Sequence, residues 1–228
     1  MAGVSDAINR FLKSRWFYPV VFVACATPLV LLLRRALPVL LPLAFPTLTL
    51  PWDGDLGVNP VETMLHATGT DAITVLLATL AITPIRRLTG WNRVQLVRRM
   101  VGVWSFVYAC CHFLIYVVFD QLGDIRAIAD DVFKRKFIFV GMAAFAILLV
   151  LAGTSTNGMI RRLGRKWQKL HRLVYVAGSA GVIHFIWGQK ADIRKPLIWT
   201  AVLVVLLGYR VVAASRKRKA RLSPAVSH

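Results

Sequence analysis

Four histidines, His66, His112, His171 and His184, fall within or at the ends of long apolar runs of this chain. Ionisable side chains are costly in lipid and mark functional sites there. One such imidazole needs nothing more than a hydrogen bond to a neighbouring helix. Four of them on three segments point instead to a bound cofactor, because neutral imidazole is a strong ligand of haem iron. Depth separates them. At about 1.5 Å per helical residue, His112, 13 residues beyond Arg99, lies about 20 Å from the nearest basic edge. His184, 15 residues beyond Lys169, lies about 22 Å from the same edge. Two imidazoles at matching depth on different helices meet the requirement of a bis-histidine b-type haem. His66, 20 residues before Arg86, falls roughly 30 Å away, at the opposite rim. His171 stands only two residues past Lys169, near the basic face. A second haem there would find no histidine of matching depth on another helix. His171 and His184 are 13 residues apart, about 140° around an ideal helix, so they share a face only if the helix bends or the cofactors touch different sides. His228 is the last residue and is set aside.

Other groups carry less. Gly178, Ser179, Ala180 and Gly181 admit either a flat macrocycle or another helix. Asp71 relays protons or pairs with a polar group. Cys110 and Cys111 read as small core residues, and Tyr108, Tyr116, Tyr175 and the tryptophans as interface anchors or cofactor packing. No Cys-x-x-Cys-His, Gly-rich phosphate loop or Ser/His/Asp arrangement is present.

The elements that must hold these histidines are membrane spans. The 228 residues are 57% hydrophobic with a mean hydropathy of +0.61, and 17% are charged. A soluble domain averages about 45–50% apolar and about 25% charged. The formal charge of +19 does not indicate nucleic acid, because the basic residues sit in clusters between apolar runs. Six runs are expected to cross as helices: 17–33, 61–83, 100–119, 137–153, 170–188 and 196–214. The apolar stretch 36–50 carries Pro38, Pro42 and Pro46. It is expected to lie at the interface rather than span, with Trp52 as its anchor.

Six spans with the N-terminus inside place 20 basic residues on the inner side and nine on the outer. The positive-inside rule therefore puts both termini in the cytoplasm. Eight acids, among them Glu62, Asp120 and Asp131, fall outside and only Asp6 inside. The expected organisation is a cytoplasmic N-terminus (1–16), a haem-binding membrane domain (17–214) and a basic cytoplasmic tail (215–228). The small residues Ala24-Cys25-Ala26 resemble a signal-peptidase site, but they lie inside the first apolar run.

The segment Thr154-Ser155-Thr156-Asn157, followed by Leu163-Gly164-Arg165-Lys166-Trp167-Gln168-Lys169-Leu170-His171-Arg172-Leu173-Val174-Tyr175, is long and specific. Together with His66-Ala67-Thr68-Gly69, Leu80-Ala81-Ile82-Thr83-Pro84, Arg98-Arg99 with His112, and Ile183-His184-Phe185-Ile186-Trp187, it resembles the haem-binding membrane subunit of the periplasmic methionine sulfoxide reductase system, the MsrQ (YedZ) family. The resemblance covers nearly the whole chain. It implies an all-α, six-helix membrane bundle of the ferric-reductase-like type in the bacterial inner membrane, with one or two b haems and an associated FMN. The family's haem histidines map onto His112, His171 and His184, with His66 a further matching position. Its members pass electrons from quinol or a flavoprotein to a periplasmic molybdopterin subunit that repairs oxidised methionine. The tail is too short for the flavin and nicotinamide domain of the larger relatives, so NADPH is not expected to bind in cis. No substrate-reducing site of its own is expected. Rival readings are a direct ferric reductase and a small proton-coupled transporter using His66, Asp71 and His184 as a relay, although no inverted repeat is evident.

Overall fold

Five of the six expected spans form long helices in a computed structural model, which describes residues 2–45, 47, 50, 54–189 and 194–222. Among these there is helix and no strand. The order is α1 (Ala2–Lys13), α2 (Phe17–Ala44), α3 (Pro60–Thr89), a 3-10 turn (Asn92–Val97), α4 (Arg98–Ile115), α5 (Ile125–Lys134), α6 (Lys136–Gly153), α7 (Asn157–Leu163), α8 (Arg165–Leu170), α9 (Val174–Gly188) and α10 (Arg194–Leu222). Five of the described helical stretches are long and apolar enough to cross a membrane: α2, α3, α4 with its flanking turns, α6 and α10. α2 and α10 turn large apolar side chains outward, among them Phe22, Val30, Val204 and Val211, as lipid-facing helices do. α10 continues through Ser215 to Leu222, past the expected end of the last span.

Local signals set the ends of α3. Asn59 Oδ1 accepts from Glu62 N at 3.2 Å while its Nδ2 donates to Glu62 Oε2 at 3.1 Å, and Pro60 opens the first turn. Gly90 closes the helix with φ 74°, a conformation that favours glycine. Leu77 and Leu80 of α3, Leu148 and Leu151 of α6, Ala177 and Val182 of α9, and Leu203 and Leu206 of α10 form the principal core.

Two expectations change. The proline-bearing stretch does not leave the helix: α2 runs unbroken to Ala44 through Pro28, Pro38 and Pro42. Prolines four residues apart share one line of the backbone ladder, so Pro42 forfeits a bond to the carbonyl of Pro38, and the cost stays on one strip. Packing stabilises the rest, since Ala36 is buried against Leu56 and Met64. Membrane helices also tolerate prolines where neighbours satisfy the backbone. Beside Pro28 the ladder opens, and the Tyr108 hydroxyl of α4 enters it, accepting from Leu29 N at 3.1 Å and donating to Cys25 O at 2.7 Å. Pro46 and Trp52 lie outside the described residues. The second change is the expected span 170–188. It divides at a 3-10 turn, His171–Leu173, leaving α9 with 15 residues.

Candidate functional site

α3 pairs with α4 and α6 pairs with α9. Where the two pairs face each other they enclose a cavity of about 490 Å³ lined by Gly69, Ile73, His112, Gly141, Phe145 and His184, among others. That is within the roughly 300–1,000 Å³ of small-molecule sites. α4 ends in a single π-helical turn, Tyr116–Asp120, whose Tyr116 and Asp120 reach the cavity's mouth. Such turns recur at functional positions.

The two histidines of matching depth meet here. The rings of His112 and His184 have centroids 6.1 Å apart and planes 83° apart. His112 Nδ1 stands 3.0 Å from the Leu65 carbonyl, and His184 Nδ1 stands 2.7 Å from the Phe137 carbonyl. A carbonyl only accepts, so each Nδ1 carries the proton and each Nε2 keeps its lone pair. Metal-binding histidines are held in this way by the nitrogen that does not ligate. A metal–nitrogen bond of about 2 Å, with about 1 Å more to each ring centroid, separates two axial imidazoles by roughly 6 Å. The donor set and its spacing therefore fit a haem iron. Phe137 stacks beside His184 at 5.9 Å and 29°. The stacked rings of Phe113 and Phe145, 4.8 Å apart, add an apolar wall.

His66 lines the mouth of the same cavity rather than its floor. Its Nδ1 accepts from Gln189 Nε2 at 3.3 Å, and its Nε2 faces Glu62 Oε1 at 3.6 Å. Across the mouth, Tyr116 donates to Asp131 Oδ2 at 3.2 Å, and Arg135 pairs with Asp131 Oδ1 at 3.1 Å.

His171 belongs to neither group. It lines a second cavity of about 320 Å³, with Arg98, Arg99, Ser155, Trp167 and Arg172. Trp167 stacks on its ring at 3.9 Å and fixes itself by an Nε1 bond to Thr154 O at 2.9 Å. His171 Nδ1 lies 3.2 Å from Trp167 O, and Nε2 lies 3.3 Å from Ser155 Oγ. His171 is the sole histidine among the residues lining this second cavity. Asp71 is not among the residues lining either cavity.

Sequence reasoning missed Gly69 and Gly141. A Cβ on Gly69 would meet the His112 ring at 3.1 Å, and one on Gly141 would meet His184 Nδ1 at 2.6 Å. Their signal lay in spacing: each glycine precedes its histidine by 43 residues.

Residues 68–182 match the family model described as the ferric reductase like transmembrane component. The chain is similar to the "Protein-methionine-sulfoxide reductase heme-binding subunit MsrQ" of Rhodospirillum rubrum, with 44% identity over 205 residues covering 90% of this chain and 91% of the relative. A protein of the same name from Herminiimonas arsenicoxydans is 47% identical over 166 residues, 72% of this chain and 76% of its own length. Another from Ralstonia nicotianae is 49% identical over 158 residues, 68% and 73% of the two chains.

Proposed function

The chain belongs to the ferric-reductase-like transmembrane family and to its MsrQ haem-binding subunits, and on that footing we propose that it carries electrons outward across the bacterial inner membrane to a periplasmic molybdopterin reductase that repairs methionine sulfoxide. The observation that carries this reading is the facing pair His112 and His184, each with its Nδ1 engaged by a backbone carbonyl and its Nε2 left to ligate. A b-type haem, when bound, supplies a one-electron carrier whose potential follows its axial ligands and its burial.

The chain's own residues do the rest. His112 and His184 would hold the haem iron through Nε2, and Leu65 and Phe137 fix their tautomer through backbone oxygens. Phe113, Phe145 and Phe137 exclude water. At the mouth, His66, oriented by Glu62 and Gln189, would meet the polar edge of the cofactor. The protein holds one haem or two; a second would sit in the second cavity, held by His171, with Arg98, Arg99 and Arg172 answering its anionic groups. The bundle then has six crossings, α9 being the short one, and both termini in the cytoplasm, where the basic loops meet anionic lipid heads. The family resemblance supplies the electron source, quinol or a cytoplasmic flavin reductase, and the association with FMN.

Purification in detergent, a haem-to-protein ratio and a redox titration test this. A reducible b-type spectrum with low-spin haem is the expected result; a colourless protein overturns the reading. Co-expression with a periplasmic molybdenum reductase is expected to couple haem oxidation to methionine sulfoxide turnover. Reduction of ferric chelates with no effect of that partner would favour a direct ferric reductase.

A further inference from the structure

Three pairs of positions that build the larger cavity are separated by the same interval. Leu65 and Phe137, Gly69 and Gly141, and His112 and His184 each lie 72 residues apart. The likeness extends beyond them. His112-Phe113 answers His184-Phe185 at the same interval, and Ile85-Arg86-Arg87-Leu88 at the end of α3 answers Ile160-Arg161-Arg162-Leu163 of α7 at an interval of 75. The hairpin of α3 and α4 and the hairpin of α6 and α9 are thus two copies of one unit in the same direction, the kind of parallel repeat that membrane proteins build around an axis normal to the bilayer.

In each copy the first helix offers a carbonyl, Leu65 or Phe137, and four residues later a glycine. The histidine of the second helix packs against that glycine and bonds that carbonyl. The reason is geometric. Cα–Cβ bonds in a helix tilt toward its N-terminus, so a side chain at position i+4 covers the carbonyl of residue i. The helical N–H of i+4 takes one lone pair of that oxygen, and a residue without Cβ at i+4 clears the approach of a bulky ring to the second lone pair. We propose that Gly69 and Gly141 are positioning residues of the haem site. Each cuts the notch through which an axial imidazole reaches its backbone acceptor, and the two notches are copies of one device duplicated with the hairpin. The proposal rests on the haem reading above.

The clash ranks the two sites. At Gly141 a methyl group would fall at 2.6 Å from the ring nitrogen, and at Gly69 at 3.1 Å, so Gly141→Ala displaces its ring further than Gly69→Ala. Gly208 of α10 has nothing within 4 Å of its missing Cβ, and Gly208→Ala is the control. A displaced ring loses the acceptor of its Nδ1–H and becomes a weaker donor to iron.

The experiment compares the full-length holoprotein with the three variants by redox titration, by electron paramagnetic resonance of the oxidised haem and by haem retention on dilution. Expected for Gly141→Ala are a raised midpoint potential, a shifted low-spin signal and haem affinity lower by about 10–100-fold, the range for losing a partner that orients a metal ligand. Gly69→Ala follows in the same direction with a smaller change, and Gly208→Ala matches the parent. Glycine variants indistinguishable from Gly208→Ala overturn this proposal while leaving the haem reading intact. Failure of both to accumulate as folded protein, with Gly208→Ala normal, assigns the glycines to helix packing and also overturns it. A parent protein without low-spin haem removes the functional reading and this proposal together.

Discussion

Arg210 reaches from α10 to the backbone of α3, where its Nη2 donates to the Leu80 carbonyl at 3.1 Å. Pro84, four residues on, has no N–H to give that carbonyl. The same guanidinium lies over the Tyr175 ring at 4.6 Å and bonds the Tyr175 hydroxyl. One cation thus repairs the ladder of α3 and ties three helices. Arg210→Met is expected to lower stability by about 1–2 kcal/mol, the cost of an orphaned carbonyl and a lost charged donor. Arg210→Lys recovers only part of it, because an ammonium lacks the planar fork. Chemical unfolding in detergent micelles measures this, and equal midpoints for parent and Met variant would refute it.

Tyr108 is fully buried and spends its hydroxyl entirely on α2. Without that oxygen, Leu29 N–H and Cys25 C=O close on each other as an ordinary helical bond. Tyr108→Phe is therefore expected to cost about 0.5–1.5 kcal/mol and to leave the haem spectrum unaltered. A loss of haem in this variant would show that α2 shapes the cofactor site, contrary to the packing described above.

The perpendicular rings of His112 and His184 have a spectroscopic consequence. Axial imidazoles in crossed planes give a highly anisotropic low-spin signal, whereas coplanar ones give a rhombic three-line signal. The oxidised protein is expected to show the former. His112→Ala and His184→Ala are each expected to abolish it. Persistence of the signal in both variants would show that other residues hold the iron.

His171 separates the one-haem and two-haem forms of the proposal. His171→Ala is expected to remove part of the bound haem while the signal from the larger cavity remains. Its neighbour gives a finer test. Trp167→Leu frees the ring that Trp167 now stacks against and is expected to shift the potential of that haem alone. An unchanged haem-to-protein ratio in His171→Ala would limit the protein to one haem.

Much of this arrangement could be read from residue spacing. His112 and His184 matched in depth because the basic edges give fixed origins and the rise per residue is constant. The prolines at 38, 42 and 46 were equally visible, yet they misled. Breaking propensity in water does not end α2, where lipid and neighbouring helices leave no cheaper conformation. The notches stayed hidden for another reason. Their acceptors are backbone oxygens, which every residue carries, and a glycine in a membrane helix is too common to signal anything alone. Only the contact with a ring gives Gly69 and Gly141 meaning, and only then does the interval of 72 residues stand out. The angular mismatch between His171 and His184 left two outcomes open, a bent helix or sites on different sides, and both appear: the helix breaks at His171–Leu173 and the two histidines line different cavities.

α9 is shorter than its partners. Its 15 residues extend about 22 Å, against a hydrocarbon layer of about 30 Å. A short helix draws headgroups and water inward around itself or pulls the leaflet thinner. With α9 as the sixth crossing proposed above, the insulating layer would be narrowest beside His184, and a charge moving through the bundle would cross less dielectric than the surrounding bilayer imposes.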